Sequence, residues 1–391
     1  MIARGLVALI AALLIGVVAV RNAAVQAWSE TAPKRANAAW SDHPDAQISV
    51  AMIEIAQAIR NRQVVPATAF RRIDAAALRA PLAPEPFLVH GVKADLAGDS
   101  AAAERDFVAA QRRDPRSLPA AYFLAERYFR NGDARRGLVQ IAVLSRLAPG
   151  GRESAAPYLA AYAQNRANWP QLRALFAAEP SLGDSALQTL ALDPANAPII
   201  LALADQRQRE ASATWVPTLL SRMVAAGRYG DARAIWASVS GVRANDQTLL
   251  FDPGFGQASP PPPFNWDLTS STVGIAERVS GGSLHTVFYG QEGGPLARQL
   301  LVLSPGTYRL SSRVAGGSSR PESLYWLVRC DKANTELGRV RLDLAARGWT
   351  FQVPASCPAQ WLELTGSAPD LPQQSEVTVT GLSLTRGGGG G

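Results

Sequence analysis

Two consecutive stretches decide the fold: PLAPEPFLVHGVKADLAGDSAAAERDFVAAQRRD at 81–114 and PRSLPAAYFLAERYFRNGDARRGLVQIAVLSRLA at 115–148. Pro81, Pro115 and Pro149 recur every 34 residues, and Gly98-Asp99 returns as Gly132-Asp133 at the same interval. A fixed period of this kind marks a repeat architecture with one supersecondary unit per repeat. Inside each unit the apolar residues fall on a helical period. Small residues such as Gly91, Ala103 and Ala125 stand where paired helices approach, and Phe87, Phe107, Tyr128 and Ile141 fill the space between them. Glycine at 98 and 132 predicts a left-handed end to the first helix of a pair. The aspartate that follows predicts the N-cap of the second. No single hairpin can bury its own apolar stripe, so the units must stack.

In the clearest unit Phe87, His90, Gly91 and Ala94 lie on the first helix, Ala103 and Phe107 on the second, and Pro115 at the exit. The next holds Ala121, Leu124, Ala125, Tyr128, Gly137, Ile141 and Pro149, and a weaker one before it holds Ile53, Ala56, Ala69, Ile73 and Pro81. This pattern resembles the tetratricopeptide-repeat family. An out-of-phase unit follows at Leu219-Leu220, Gly227, Ala232 and Trp236, while the stretch containing Tyr162, Trp169, Leu172 and Phe176 is helical in period but departs from the motif. The resemblance implies an α-helical solenoid over 38–241 with a concave groove that takes a protein partner. His90 falls at a packing position and is expected to be a hydrogen-bonded structural residue.

Outward from the repeats, the chain begins with Met1-Ile2-Ala3-Arg4 and the uninterrupted apolar run from Gly5 to Val20. A basic start before an apolar core has the character of an export signal. Residues 1–28 therefore read as a membrane anchor or signal segment. Ala23, Ala24, Val25 and Trp28 extend the run toward spanning length. Val25-Gln26-Ala27 offers a cleavage site, but Arg21 between it and the apolar core favours an uncleaved anchor. Arg21, Lys34 and Arg35 beyond the run oppose export by the charge rule. The only two cysteines, Cys330 and Cys357, argue the other way, because a lone pair in one region reads as a disulfide formed in an oxidising compartment. Two buried free thiols are the alternative. The expected location is a bacterial inner membrane, crossed once, with the soluble part in the periplasm. If the segment is cleaved, the protein is periplasmic or secreted.

After Gly241 the helical pattern stops, and the Pro260–Pro263 run introduces short alternating segments near 272–279, 283–290, 298–303, 307–314, 323–330, 347–353, 360–365 and 375–385. Strands at this spacing argue a β-sandwich, here over 250–386, with 387–391 a flexible glycine tail. The opening Phe251-Asp252-Pro253-Gly254-Phe255, the Leu300–Leu303 strand before Pro305-Gly306-Thr307-Tyr308, and the closing Val377–Leu382 strand resemble the galactose-binding-like jelly roll of carbohydrate-binding modules. The resemblance implies contact with a glycan. Alternation assigns Leu324, Trp326, Val328, Tyr308, Leu310, Trp349, Phe351, Leu362 and Leu364 to the core. It turns Tyr325, Arg329, Trp361 and Glu363 to the opposite face. Rings that stack on sugar C–H faces beside directed hydrogen-bonding groups suit a polysaccharide, so these four are the candidate glycan face, with His285 and Tyr289 as further contributors. The alternative is that Tyr325 and Trp361 pack beneath a loop or the helices.

The formal charge of +7 does not make a nucleic-acid binder: the basic residues are scattered among Asp and Glu, and no recognition module accompanies them. Nucleophile-elbow, metalloprotease, phosphate-loop and dinucleotide motifs are missing from the sequence. Ser283 and His285 share a strand face without an evident orienting acid, and the distant cysteines and histidines lack metal-ligand spacing. The expectation is a multidomain α and β protein without catalytic residues, metal or cofactor. It would be a membrane-anchored scaffold whose solenoid binds a protein and whose sandwich contacts glycan, in envelope or exopolysaccharide assembly. A purely structural adaptor and a glycan hydrolase are the alternatives.

Overall fold

The structure, a computed structural model, describes residues 2–242, 249–368 and 371–387. Of the expected glycine tail, 388–391 lie outside the described residues. The chain divides into two compact units, Met1–Ser154 and Ala155–Gly391.

The first unit is helical: α1 (Ile2–Trp28), α2 (Pro33–Ala39), α3 (Pro44–Arg60), α4 (Ala67–Arg79), α5 (Glu85–Leu96), α6 (Ser100–Arg113), α7 (Leu118–Arg130) and α8 (Ala134–Leu147), with the unit ending inside α9 (Gly151–Tyr162). The pairs α3–α4, α5–α6 and α7–α8 are the three units of the 34-residue period, and Pro81, Pro115 and Pro149 follow them in the connections. Gly98 and Gly132 take φ of 78° and 75°, the left-handed conformation that releases each first helix. The Asp99 carboxylate then accepts the Ala102 N–H, and Asp133 accepts that of Arg136, each at 3.0 Å. Close approach within a pair is visible at Gly91, where a β-carbon would stand 2.6 Å from the Phe107 ring. Phe107 cannot retreat, because it is buried and stacks on Phe123 at 4.8 Å between ring centres. Ala103, Leu124 and Tyr128 complete this core.

The second unit continues with α10 (Trp169–Ala178), α11 (Pro180–Leu190), α12 (Ala197–Leu203), α13 (Trp215–Ala225) and α14 (Tyr229–Ser240). The out-of-phase repeat is the α13–α14 hairpin, turned by Gly227 at a φ of 76°. Ten strands follow: β1 (Asp267–Leu268), β2 (Gly274–Val279), β3 (Ser283–Phe288), β4 (Gly294–Leu301), β5 (Gly306–Val314), β6 (Leu324–Cys330), β7 (Glu336–Arg341), β8 (Trp349–Val353), β9 (Gln360–Gly366) and β10 (Ser375–Arg386). They form two five-stranded antiparallel sheets, β1-β4-β9-β6-β7 and β2-β3-β10-β5-β8. All eight expected strands are present. The two that were not expected are the brief β1 and the edge strand β7, whose exposed Glu336, Arg339 and Arg341 give it no apolar alternation. The sandwich core collects Leu324, Trp326, Val328, Tyr308, Leu310, Phe351, Leu362 and Leu364, with Trp349 packed at its margin. Helices α10–α14 share a compact unit with the sheets, although secondary structure changes after Gly241.

Candidate functional site

The register of β6 and β9 sets Arg329 opposite Trp361 and Leu327 opposite Glu363, so Tyr325, Arg329, Trp361 and Glu363 share the outer face of the first sheet. His285 and Tyr289 do not join them. His285 lies on β3 of the second sheet, where its ring meets Thr378 Oγ1 at 3.3 Å and Glu376 at 3.5 Å, and Tyr289 follows the end of that strand. The six residues therefore divide between two sheets, because alternation assigns a face within a strand but does not say which strands share a sheet.

The four that do assemble are largely engaged with one another and with their neighbours. Arg329 donates to both carboxylate oxygens of Glu363, at 3.0 and 2.8 Å, and its remaining Nη1 donates to Asn334. Glu363 is 4% exposed, and its hydrogen bonds hold the Arg329 guanidinium above its ordinary pKa. Trp361 donates its indole N–H to Asp331 Oδ1 at 2.7 Å, and the guanidinium of Arg298 lies 5.1 Å from its ring centre. Arg298 is fixed in turn by Asp267 on β1. The second oxygen of Asp331 accepts the Tyr229 hydroxyl of α14 at 2.6 Å. Burial first, and then this hydrogen bond, push the Tyr229 phenol well above its usual range. Farther along α14, Trp236 donates to the Pro261 carbonyl at 2.8 Å and sets its ring edge-on to Phe251 and Phe264. Trp361 thus belongs to a seam where the last helix meets the first sheet. Tyr325 remains half-buried under Arg339, whose guanidinium lies 5.3 Å from its ring centre.

Tyr229 and Asp331 stand 102 residues apart and belong to no motif; only the position of Asp331 immediately after Cys330 marks it in the sequence. Cys330 and Cys357 are joined by a disulfide with a Cα–Cα distance of 5.6 Å. It ties the end of β6 to the turn before β9, beside Asp331. No group of three or more His, Cys, Asp or Glu able to hold a metal occurs among the described residues.

The helical unit offers a different surface. On α7, Leu118, Tyr122 and Phe129 are 37%, 58% and 38% exposed. Their spacing of four and seven places them on one stripe with Glu126, which pairs with Arg130. The opposite face of α7 carries the buried Ala120, Leu124 and Tyr128, so this helix is apolar on both sides. His90 on α5 binds Asp74 of α4 at 2.8 Å and serves the packing of the first two pairs.

At the N-terminus, Leu9–Trp28 is long and apolar enough to cross a membrane, with a mean hydropathy of 1.9. Its two ends differ. Leu9, Leu13, Ile15 and Val20 are exposed, whereas Val25 is completely buried against Ala36, Ala46 and Trp40. Around it Arg21 donates to the Ala39 carbonyl at 2.9 Å, Asn22 meets the His43 ring at 3.1 Å, and Gln26 donates to Asp45 at 2.8 Å.

No protein-family model matches the chain, and no curated protein matches it. Among solved structures, it is similar to the crystal structure of yeast Tom70 at 12% identity and a TM-score of 0.26, over 54% of this chain and 45% of that one. The chain thus matches less than half the length of that structure, and at that score the likeness carries no argument. The helical repeat rests on the 34-residue period and the hairpins themselves.

Proposed function

We propose that this protein is a non-catalytic scaffold, held in a membrane by α1, whose helical repeats bind a protein partner through the exposed face of α7. The observation that carries this reading is the stripe begun by Leu118 and Tyr122 and continued by Phe129, whose ring also lies against Gly137 of α8, on a helix whose other face already fills the repeat core. Exposed aromatic and aliphatic anchors on a rigid helix suit an apolar peptide or helix. The test is affinity purification of the full chain from membranes, wild type against Tyr122→Glu with Phe129→Glu. A stoichiometric protein companion lost from a variant with unchanged melting supports the reading. No companion on the wild type, or equal retention by the variant, refutes it.

The burial of Val25 supports retention of the anchor. A signal cut after Ala27 would remove a fully buried side chain together with the partners of Ala39, His43 and Asp45. We read the soluble part as periplasmic, where the Cys330–Cys357 bond would persist. The sandwich, read as a galactose-binding-like jelly roll, serves as an adaptor in this proposal rather than as a glycan receptor. That choice rests on Arg329, Glu363 and Trp361 having their polar groups committed to internal partners. Titration of the full chain with neutral and acidic envelope polysaccharides separates the two. Binding lost in Trp361→Ala would restore the glycan face and a place in exopolysaccharide assembly.

A further inference from the structure

One face of α4 is an arginine groove. Thr68, Arg71, Arg72, Ala75, Ala76 and Arg79 line about 350 Å³ of open space closed on the other side by Asp42, Pro44 and Gln47 at the start of α3. Two of the guanidiniums are held in place. Arg79 donates to the Asp42 carbonyl at 3.0 Å, and Arg72 lies 3.5 Å from Gln47 Oε1 and 3.9 Å from Glu54. Arg71 is exposed and has no partner among the described residues. Three guanidiniums therefore line a groove with one carboxylate, that of Asp42, in its wall and a second, Glu54, beside Arg72. Guanidinium forks match the paired oxygens of a phosphate, as they do those of a carboxylate, through two parallel hydrogen bonds.

The position of the groove says where the phosphate comes from. Its wall, Asp42 and Pro44, flanks His43, and His43 is bonded to Asn22 of α1. Asn22 is two residues beyond Val20, the last residue of the apolar run, so the rise along the helix is only about 3 Å. The headgroup layer of a bilayer is about 5–7 Å deep on each side of the hydrocarbon. Trp40, of the residue type that collects at this interface, packs on Val25 with the Arg21 guanidinium 5.0 Å from its ring centre. We infer that the groove of Arg71, Arg72 and Arg79 binds the phosphate of an anionic membrane lipid. The inference rests on α1 crossing the bilayer through the part that ends at Val20, ahead of Arg21, Asn22 and Gln26, whose side chains are bonded to Ala39, His43 and Asp45. The groove supplies the charge pairing, and the anchor holds it at headgroup depth.

The test uses the full chain in neutral detergent, with native mass spectrometry during titration by phosphatidylglycerol, phosphatidylcholine or inorganic phosphate. Wild type is expected to hold one phosphatidylglycerol about tenfold more tightly than phosphatidylcholine. Arg71→Gln, which breaks no internal contact, should lose most of that preference, and Arg71→Lys should recover part of it. Equal affinity for the two lipids, or an Arg71→Gln chain that keeps the preference, overturns the inference. Saturation by millimolar inorganic phosphate that displaces the lipid also overturns it, by making the groove a free-phosphate site. Alkaline extraction of native membranes judges the anchor separately: a chain released by carbonate is not a spanning one, whatever lipid it binds in detergent.

Discussion

Replacing Asp331 with alanine removes the single acceptor shared by Tyr229 on α14 and Trp361 on β9. Tyr229 is 4% exposed, so its hydroxyl loses its acceptor in a largely buried position, a loss of about 1–3 kcal/mol. Trp361 is only half-buried and its N–H can reach solvent, which adds about 1 kcal/mol. The sum is about 2–4 kcal/mol, and for a unit of this size each kcal/mol lowers the melting temperature by about 2–4 °C. The expected fall is therefore about 4–16 °C, read by circular dichroism and by urea unfolding. Tyr229→Phe removes the donor rather than the acceptor and leaves Asp331 bonded to Trp361, so it should cost about 1 kcal/mol. In the double variant the losses should not add, with a coupling of about 1 kcal/mol or more. An Asp331→Ala chain within about 0.5 kcal/mol of wild type refutes the reasoning, as does strict additivity with Tyr229→Phe. Trp361 would then be free to serve as a ligand platform after all.

Three further outcomes follow from the geometry. Ala103→Arg sets a guanidinium in the closed contact of Phe107, Leu124 and Tyr128, and should cost about 3–5 kcal/mol; an unchanged melting curve would show the repeat register to be wrong. Reducing Cys330–Cys357 opens a loop closed across 27 residues and should cost about 3 kcal/mol, and thiol labelling of denatured protein taken from cells should find no free cysteine; two labelled thiols would contradict both the bond and export. Asp133, whose carboxyl is held below its ordinary value of 3.8 by the Arg136 N–H and then by its guanidinium, contributes stability that is complete above that value and is lost as pH falls through the lowered one. Asp133→Asn keeps a capping oxygen without the titration, so the urea-midpoint difference between it and wild type should close below pH 3.8, and a gap constant down to pH 2 would exclude the ionic contribution.

What could be read from the sequence divides along physical lines. The repeats were legible because their determinants are local and periodic: Gly98-Asp99 and Gly132-Asp133 specify a left-handed turn and a cap within a few residues of themselves. The core of the sandwich was legible because alternation alone separates Trp326 from Tyr325 and Leu362 from Trp361. Edge strand β7 was not, since it buries little and is held by pairing to β6 rather than by an apolar side. Alternation places Tyr325, Arg329, Trp361 and Glu363 on one face, but it does not tell that His285 and Tyr289 lie elsewhere, because sheet membership depends on long-range pairing. The use made of that surface was invisible for the same reason, as Asp331 acquires its role only when Tyr229 arrives from far away in the chain.

The junction at Val25 has a mechanical consequence. A domain hung from a bilayer by a flexible stretch explores a volume set by the stretch's length, and partners are gathered from that whole volume. Here the apolar helix runs without a break into turns whose Arg21, Asn22, Val25 and Gln26 are already fastened to α2 and α3. Under the proposal that α1 spans a bilayer, the first repeat would have no swivel. It would drift sideways in the plane and rotate about the normal, but it would not bow toward or away from the lipid without tilting the helix inside it. Capture of the proposed partner would then be a two-dimensional search at one fixed height, and a partner whose binding segment does not reach that height would be excluded before any side chain is compared.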